Sequence, residues 1–105
     1  MTFDSDILIA GGGLNGPALA LALAQAGFDV TVVDARPAPE RAGSNFDGRG
    51  YALALASKRL LTAIGVWDKV ADHSEPMRDI KVSDGRAGEG PAPFFLHFDH
   101  TEIEE

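Results

Sequence analysis

An α/β fold with a parallel sheet, of the Rossmann-like βαβ kind, is predicted by three features of this 105-residue sequence. An apolar segment, which we expect to form a strand over 3–10, stops at three consecutive glycines, as a buried strand before a tight turn would. The following segment, 14–26, alternates alanine with leucine, carries Pro17 in its first turn and stops at Gly27, as a buried helix would. The β-branched segment 30–33 then predicts a second strand. Because a helix joins the two strands, we expect them to be parallel.

The middle of the chain predicts a loop and two short helices. Proline and glycine make 35–49 typical of a loop, and 51–56 alternates large and small apolar residues as an extended segment does. Ser57 is the expected N-cap of a helix that ends at Gly65. A further helical turn is expected over 66–71.

Two strands are expected in the last third of the chain. The first covers 80–83 and is followed by an Asp84–Gly85 turn. After a loop over 88–93, the second strand covers 94–98.

Composition excludes several classes of function. The formal net charge of −7 argues against a nucleic-acid surface, which requires a basic patch. The absence of cysteine excludes disulfides and thiol chemistry. Although 7–28 carries no charge, its glycines and Pro17 interrupt it, and we expect a buried strand and helix rather than a membrane span.

The glycines between the first strand and helix form the pattern Gly11-x-Gly13-x-x-Gly16, which predicts a dinucleotide site. Gly11 allows the sharp turn, Gly13 lets the backbone approach a pyrophosphate, and Gly16 lets the helix lie close to the strand. The backbone N–H groups where the helix begins, around Leu14 and Asn15, would face the phosphates. A glycine-rich turn in an unrelated α/β domain is the alternative interpretation.

Asp34 ends the second strand about 20 residues after the first glycine, where an acidic side chain binds the adenosine ribose. Its carboxylate would repel a 2′-phosphate and so disfavours NADP, but it does not separate NAD from FAD. Arg36 could flank the adenosine end, and Arg49, set between Gly48 and Gly50, could meet a phosphate or an electron-rich ring edge. The alternative interpretation of each arginine is an ordinary solvated side chain.

The sequence predicts neither a catalytic residue nor a metal ligand in this chain. His97 and His100 flank Asp99 in a spacing that matches no standard zinc pattern, so we expect surface histidines. His73 is a lone loop residue, and no Ser-His-Asp or G-x-S-x-G arrangement is present.

Three segments resemble the amino-terminal part of class A flavoprotein monooxygenases: Gly11–Gly27, Asp34-x-Arg36 and Phe46-Asp47-Gly48-Arg49-Gly50-Tyr51-Ala52-Leu53. The Phe-Asp-Gly-Arg segment, the 57–65 helix and Ile64-Gly65-Val66-Trp67 resemble in particular the ubiquinone-biosynthesis hydroxylases of the 2-octaprenyl-6-methoxyphenol hydroxylase type. The resemblance covers most of the chain and weakens after about Gly85.

The resemblance implies that the pyrophosphate of FAD lies over residues 11–16 and that Asp34 binds the adenosine ribose. Many relatives have glutamate at the position of Asp34. The resemblance also implies that Arg49 extends toward the flavin. It implies hydroxylation of an aromatic or polyprenyl phenol with O₂ and NAD(P)H, in the cytoplasm and peripheral to the inner membrane. We expect 1–105 to be a partial FAD domain from the amino-terminal end of a longer enzyme, inactive alone. The oligomeric state stays open. The alternatives are an NAD-dependent dehydrogenase and a non-catalytic nucleotide-binding module.

Overall fold

The computed structural model describes residues 1–41, 43 and 48–103, and its contacts divide the chain into two units, Met1–Asp72 and His73–Glu105. The described residues of the first unit form two strands and four helices: β1 (Ile7–Ala10), α1 (Asn15–Gln25), β2 (Val30–Val33), α2 (Ala38–Arg41), α3 (Leu55–Ala63) and α4 (Trp67–Val70). A 3₁₀ turn, Ala71–His73, follows α4. The second unit contains β3 (Asp79–Arg86), β4 (Gly90–Asp99) and a 3₁₀ turn at His100–Glu102.

The predicted βαβ unit is confirmed in the first unit. Strands β1 and β2 pair in parallel, with Ile7 opposite Val30 and successive residues in register. The first strand begins at Ile7, later than the predicted residue 3. Asp6, just before the strand, interacts with Asp29, the residue that precedes β2. Its carboxylate accepts a hydrogen bond from the backbone N–H of Asp29 at 2.9 Å, and its own N–H donates to the Asp29 carbonyl.

Helix α1 lies against both strands but is less buried than its apolar sequence predicts. Ala18, Ala20 and Ala22 are half-buried, whereas Leu19 is 51% exposed and Leu21 is also exposed. The small alanine side chains allow close packing on a sheet. Leu19 and Leu21 therefore stay open to solvent among the described residues, whereas Leu23 is half-buried.

Helix α3 begins two residues before the predicted N-cap. Ala54 precedes it in an extended conformation, and Ser57 lies inside the helix. The Ala-Leu alternation predicted as extended is equally compatible with a helix, because both residues have high helix propensity. Gly65, with a φ of +80°, follows the helix as predicted, and its conformation is one that a side chain would disfavour.

The loop predicted over 35–49 contains the short helix α2. Pro37 immediately precedes it, and the Pro37 carbonyl accepts a hydrogen bond from the N–H of Glu40 at 3.1 Å. Proline fixes a backbone angle suited to the start of a helical turn, which explains the helix in a segment otherwise rich in loop residues.

A side-chain hydrogen bond joins the ends of α1 and α3. The Gln25 amide Nε2 donates to the carbonyl oxygen of Ile64 at 2.8 Å, and Ile64 is the buried apolar residue of the described chain, at 7% exposure.

We expect Gln25→Glu to lower the free energy of unfolding by about 1–2 kcal/mol, since the carboxylate keeps the shape but cannot donate. Urea-induced unfolding would measure this change. Gln25→Met also removes the donor, and full stability in both variants would contradict this role.

The second unit is an antiparallel hairpin longer than predicted. Strand β3 continues through Asp84 and Gly85, where a turn was predicted, and β4 begins at Gly90 in the predicted loop 88–93. A register shift between Ser83 and Gly85 lets pairing continue, with Gly85 opposite Pro91. A Cβ on Gly85 would lie 2.8 Å from the carbonyl oxygen of Gly90, so the close approach of these strands depends on glycine.

None of the described helices has the length and apolar character needed to cross a bilayer.

Candidate functional site

The glycine loop, residues 11–14, connects β1 to α1 and is held against β2. The N–H of Gly11 donates to the carbonyl oxygen of Val33 at 2.7 Å, and Gly11 has a φ of +114°. This conformation favours glycine and turns the chain sharply at the carboxyl edge of the two strands. Gly11 thus occupies the kind of turn that the sequence predicts.

The first turn of α1 offers backbone N–H groups at the end of this loop. The helix begins at Asn15, after Leu14, and within the described chain no side chain caps its N-terminus. Its first turn carries no acidic residue, and Pro17 lies in it as predicted. The backbone N–H groups of this turn and the positive end of the helix dipole are therefore available to bind an anion.

Gly16 lets α1 lie close to the loop and to β1. A Cβ on Gly16 would overlap the carbonyl oxygen of Gly11 and would lie 3.4 Å from Cγ2 of Ile9. A backbone atom cannot rotate away as the end of a side chain can, so this position admits no side chain without a shift of the loop or the helix. This packing is the role that the sequence pattern predicts for its third glycine.

Asp34, immediately after β2, lies directly against the glycine loop. A Cβ on Gly12 would lie 2.7 Å from Oδ2 of Asp34, while Oδ1 accepts a hydrogen bond from the backbone N–H of Arg36 at 3.3 Å. The structure thus brings the carboxylate to the loop although the two are far apart in sequence. Sequence reasoning assigned no role to Gly12, because it occupies an unspecified position of the glycine pattern.

The structure shows where the other predicted site residues lie but does not test their roles in binding the cofactor. Gly13 is exposed in the loop, and Arg36 is exposed beside Asp34. Arg49 is exposed and follows Gly48, which has a φ of +81°. Phe46 and Asp47, which carry part of the resemblance, lie outside the described residues. The roles of these residues stay predictions.

The arrangement fits the adenosine diphosphate half of a dinucleotide. A side-chain-free loop and uncapped helix N–H groups suit a pyrophosphate, and a carboxylate beside the same loop suits ribose hydroxyls. Together with the parallel βαβ unit, these features define a dinucleotide-binding domain.

The sequence profile of the FAD binding domain family matches residues 4–94, and the chain belongs to this family. FAD is therefore its cofactor, which answers the choice between FAD and NAD that the glycine pattern and Asp34 left open.

Similar proteins include ubiquinone hydroxylases. The chain is 43% identical over 100 residues to ubiquinone hydroxylase UbiL of Rhodospirillum rubrum, covering 95% of this chain and 22% of that protein. It is 35% identical over 99 residues to ubiquinone hydroxylase UbiM of Neisseria meningitidis, covering 93% and 20%. It is 54% identical over 80 residues to 3-demethoxyubiquinol 3-hydroxylase of Escherichia coli, covering 74% and 20%. The chain thus spans about a fifth of the length of these relatives, and no solved structure matches it significantly.

A separate polar cluster lies at the open end of the hairpin. Nε2 of His97 and Oδ1 of Asp79 are 2.7 Å apart, and Asp79 pairs with Asp99 in the strand register. One ligand-type atom each of Asp79, His97 and Asp99 lies within 4.8 Å of the others. Sequence reasoning missed Asp79 because only the register of the hairpin brings it to the other two. The hydrogen bonds within the cluster account for its geometry, and we assign no ion to it.

Asp99 caps the 3₁₀ turn that follows β4. Its Oδ1 accepts hydrogen bonds from the N–H and the hydroxyl of Thr101, both at 2.9 Å. These bonds, the backbone one first, hold the pKa of Asp99 below its ordinary value. Because folding lowers this pKa, the carboxylate stabilises the turn above the pH at which an ordinary aspartate titrates. That stabilisation is lost as the pH falls through the lowered pKa.

We expect Thr101→Val to raise the pKa of Asp99 part of the way toward its ordinary value, because the hydroxyl is lost and the backbone N–H remains. A pH titration of the Asp99 carboxyl carbon by NMR measures the change. Thr101→Ser keeps a hydroxyl and is the matched control. An unchanged titration in Thr101→Val would contradict the assignment of this bond.

Proposed function

We propose that the chain is the amino-terminal FAD-binding part of a flavin-dependent monooxygenase that hydroxylates a phenolic precursor of ubiquinone. The observation that carries the proposal is the 43% identity over 95% of this chain to a protein named as a ubiquinone hydroxylase. The likeness to 3-demethoxyubiquinol 3-hydroxylase supports the same substrate class. A dehydrogenase with an NAD site is not favoured, because the matching family is an FAD binding domain.

In this proposal the pyrophosphate of FAD lies over the glycine loop. Gly11, Gly13 and Gly16 shape the loop, the backbone around Leu14 and Asn15 faces the phosphates, and Asp34 binds the adenosine ribose. Arg36 flanks the adenosine end, and Arg49 extends toward the flavin. The support for this assignment is the uncapped start of α1 and the position of the Asp34 carboxylate against the loop.

The reaction consumes the phenol, O₂, NAD(P)H and a proton, and it yields the hydroxylated ring, water and NAD(P)⁺. Bound FAD supplies the chemistry that passes electrons from NAD(P)H to O₂. The residues of this chain bind and orient the cofactor, and none is assigned a proton transfer. The groups that hold the phenol and exclude water are proposed to lie in the remainder of the enzyme.

We further propose that residues 1–105 form only part of the FAD domain of the complete enzyme. Large apolar side chains on both strands and helices are exposed, among them Leu8 at 66%, Leu19 and Leu96. Extensive exposed apolar surface is typical of an interface with further protein or with a membrane. We propose that the enzyme is cytoplasmic and associates peripherally with the inner membrane, where the polyprenyl tail of such a substrate would lie. The oligomeric state is left open.

The test is to incubate the purified full-length protein with a polyprenyl phenol, NADH or NADPH, and isotopically labelled dioxygen. We expect one labelled oxygen atom in the phenol ring, found by mass spectrometry, and no label when it is supplied as water. A reaction without the phenol is the control for uncoupled NAD(P)H oxidation. Flavin-containing protein that incorporates no label into any polyprenyl phenol tested would contradict the proposed substrate class.

A further inference from the structure

We propose that Gly12 is a positioning residue that sets the orientation of the Asp34 carboxylate and thereby the affinity for the adenosine ribose. Gly12 is not one of the three patterned glycines and has no assigned role. The inference rests on the proposed function, in which Asp34 binds the ribose of FAD.

The space above Gly12 is occupied by the Asp34 side chain along its whole length. An added Cβ would lie 2.7 Å from Oδ2, 3.1 Å from Cβ and 3.2 Å from Cγ of Asp34. Non-bonded contacts of a Cβ atom are essentially never shorter than 3.0 Å, so a side chain at position 12 requires a shift. Rotation of the Asp34 side chain relieves the contact with Oδ2 by turning the carboxylate away from the loop. It leaves the 3.1 Å contact with Asp34 Cβ, which requires a backbone shift of a few tenths of an ångström.

One hydrogen bond joins the loop to the strand end, and a second, local to the strand end, orients the Asp34 carboxylate. The N–H of Gly11 is bound to the carbonyl oxygen of Val33, one residue before Asp34. The N–H of Arg36 is bound to Oδ1 of Asp34, which fixes the carboxylate from its other side. Adding a methyl group at position 12 therefore breaks the hydrogen bond to Arg36 or displaces the loop from β2.

The consequence is a matched pair of residues from separate parts of the chain. Gly12 supplies the empty space, and Asp34 fills it with a carboxylate beside the loop proposed to hold the pyrophosphate. A rotated carboxylate would lose its hydrogen bonds to the ribose hydroxyls. We expect Gly12→Ala to weaken FAD binding by about tenfold, similar to loss of the carboxylate itself.

The experiment measures the FAD dissociation constant of the full-length apoprotein by the change in flavin fluorescence. It compares the wild type with Gly12→Ala, Asp34→Ala, the double variant and Gly43→Ala. Gly43 is the matched control, because a Cβ there would make only ordinary contacts, at 3.5 Å and beyond. We expect each single site variant to bind about tenfold more weakly, the control to bind as the wild type does, and the double variant to bind no more weakly than Asp34→Ala.

Non-additive effects of the two substitutions on FAD affinity would distinguish positioning of the carboxylate from a general disruption of the site. If Gly12→Ala weakens binding equally in the presence and absence of the Asp34 carboxylate, or does not weaken it, the inference is overturned. If Gly12→Ala does not fold, removing the Asp34 side chain must restore folding, measured by thermal unfolding, and failure to do so also overturns it. A wild-type protein that binds no FAD contradicts the proposed function instead, so the two failures are distinguishable.

Discussion

Replacing Gly16 with alanine is expected to destabilise the full-length protein by about 3 kcal/mol, at the upper end of the cost of overpacking. The added Cβ would overlap the carbonyl oxygen of Gly11, a backbone atom of the turn itself. Relief requires α1 to move off β1 or the turn to open, and opening the turn strains the hydrogen bond from Gly11 to Val33. The loss should appear in urea-induced unfolding of the apoprotein, without any ligand.

Gly43→Ala is again the control, since it adds the same methyl group at an exposed glycine with ordinary contacts. We expect it to unfold at the same urea concentration as the wild type. If Gly16→Ala were as stable as this control, the close approach of α1 to the glycine turn would be wrong.

Replacing Gly13 with valine is expected to reduce FAD affinity by at least about a hundredfold while the protein stays folded. Gly13 is exposed in the loop between β1 and α1, so we expect the fold to accept a side chain there. In the proposed site that surface meets the pyrophosphate, and a β-branched side chain would keep the phosphates from the backbone N–H groups. The fluorescence titration of the apoprotein with FAD measures the loss.

The two glycine variants should therefore fail in different ways. Gly16→Ala loses stability before any ligand is added, whereas Gly13→Val keeps the unfolding midpoint and loses the cofactor. Unchanged FAD affinity in folded Gly13→Val protein would remove the pyrophosphate from the glycine loop.

The parts of the fold that sequence predicted depend on signals close together in the chain. The glycine turn, Pro17 in the first helical turn and the β-branched residues of β2 each specify local backbone geometry. Because these signals alternate as strand, turn, helix and strand, the parallel pairing of β1 with β2 followed from them. Gly65 ended α3 as predicted for the same reason: its φ of +80° is a local requirement.

The parts that sequence did not predict depend on pairing between distant residues. The dipeptide Asp84–Gly85 is a common turn sequence, yet the register shift of the hairpin keeps both residues in β3. The contact of His97 with Asp79 exists only because β3 and β4 pair in this register. The position of Asp34 over Gly12 likewise follows from packing of the loop on the end of β2. No local pattern in the sequence encodes these contacts.

Exposed apolar faces show why the burial of α1 was overestimated. Ile80, Val82, Leu96 and Phe98 form an apolar face by the two-residue alternation of the hairpin strands, and all four are exposed. Leu19 and Leu21 of α1 are exposed in the same manner. Apolar patterning predicts which face of an element becomes buried, but the proposed remainder of the enzyme would have to supply the covering surface.

The most direct test of the central claim is the visible absorption spectrum of the purified full-length protein, with the released cofactor identified by mass spectrometry. We expect a yellow protein with a flavin absorption band and about one FAD per chain, as one dinucleotide-binding unit requires. A folded, colourless protein that neither yields flavin on extraction nor takes up added FAD would contradict the account.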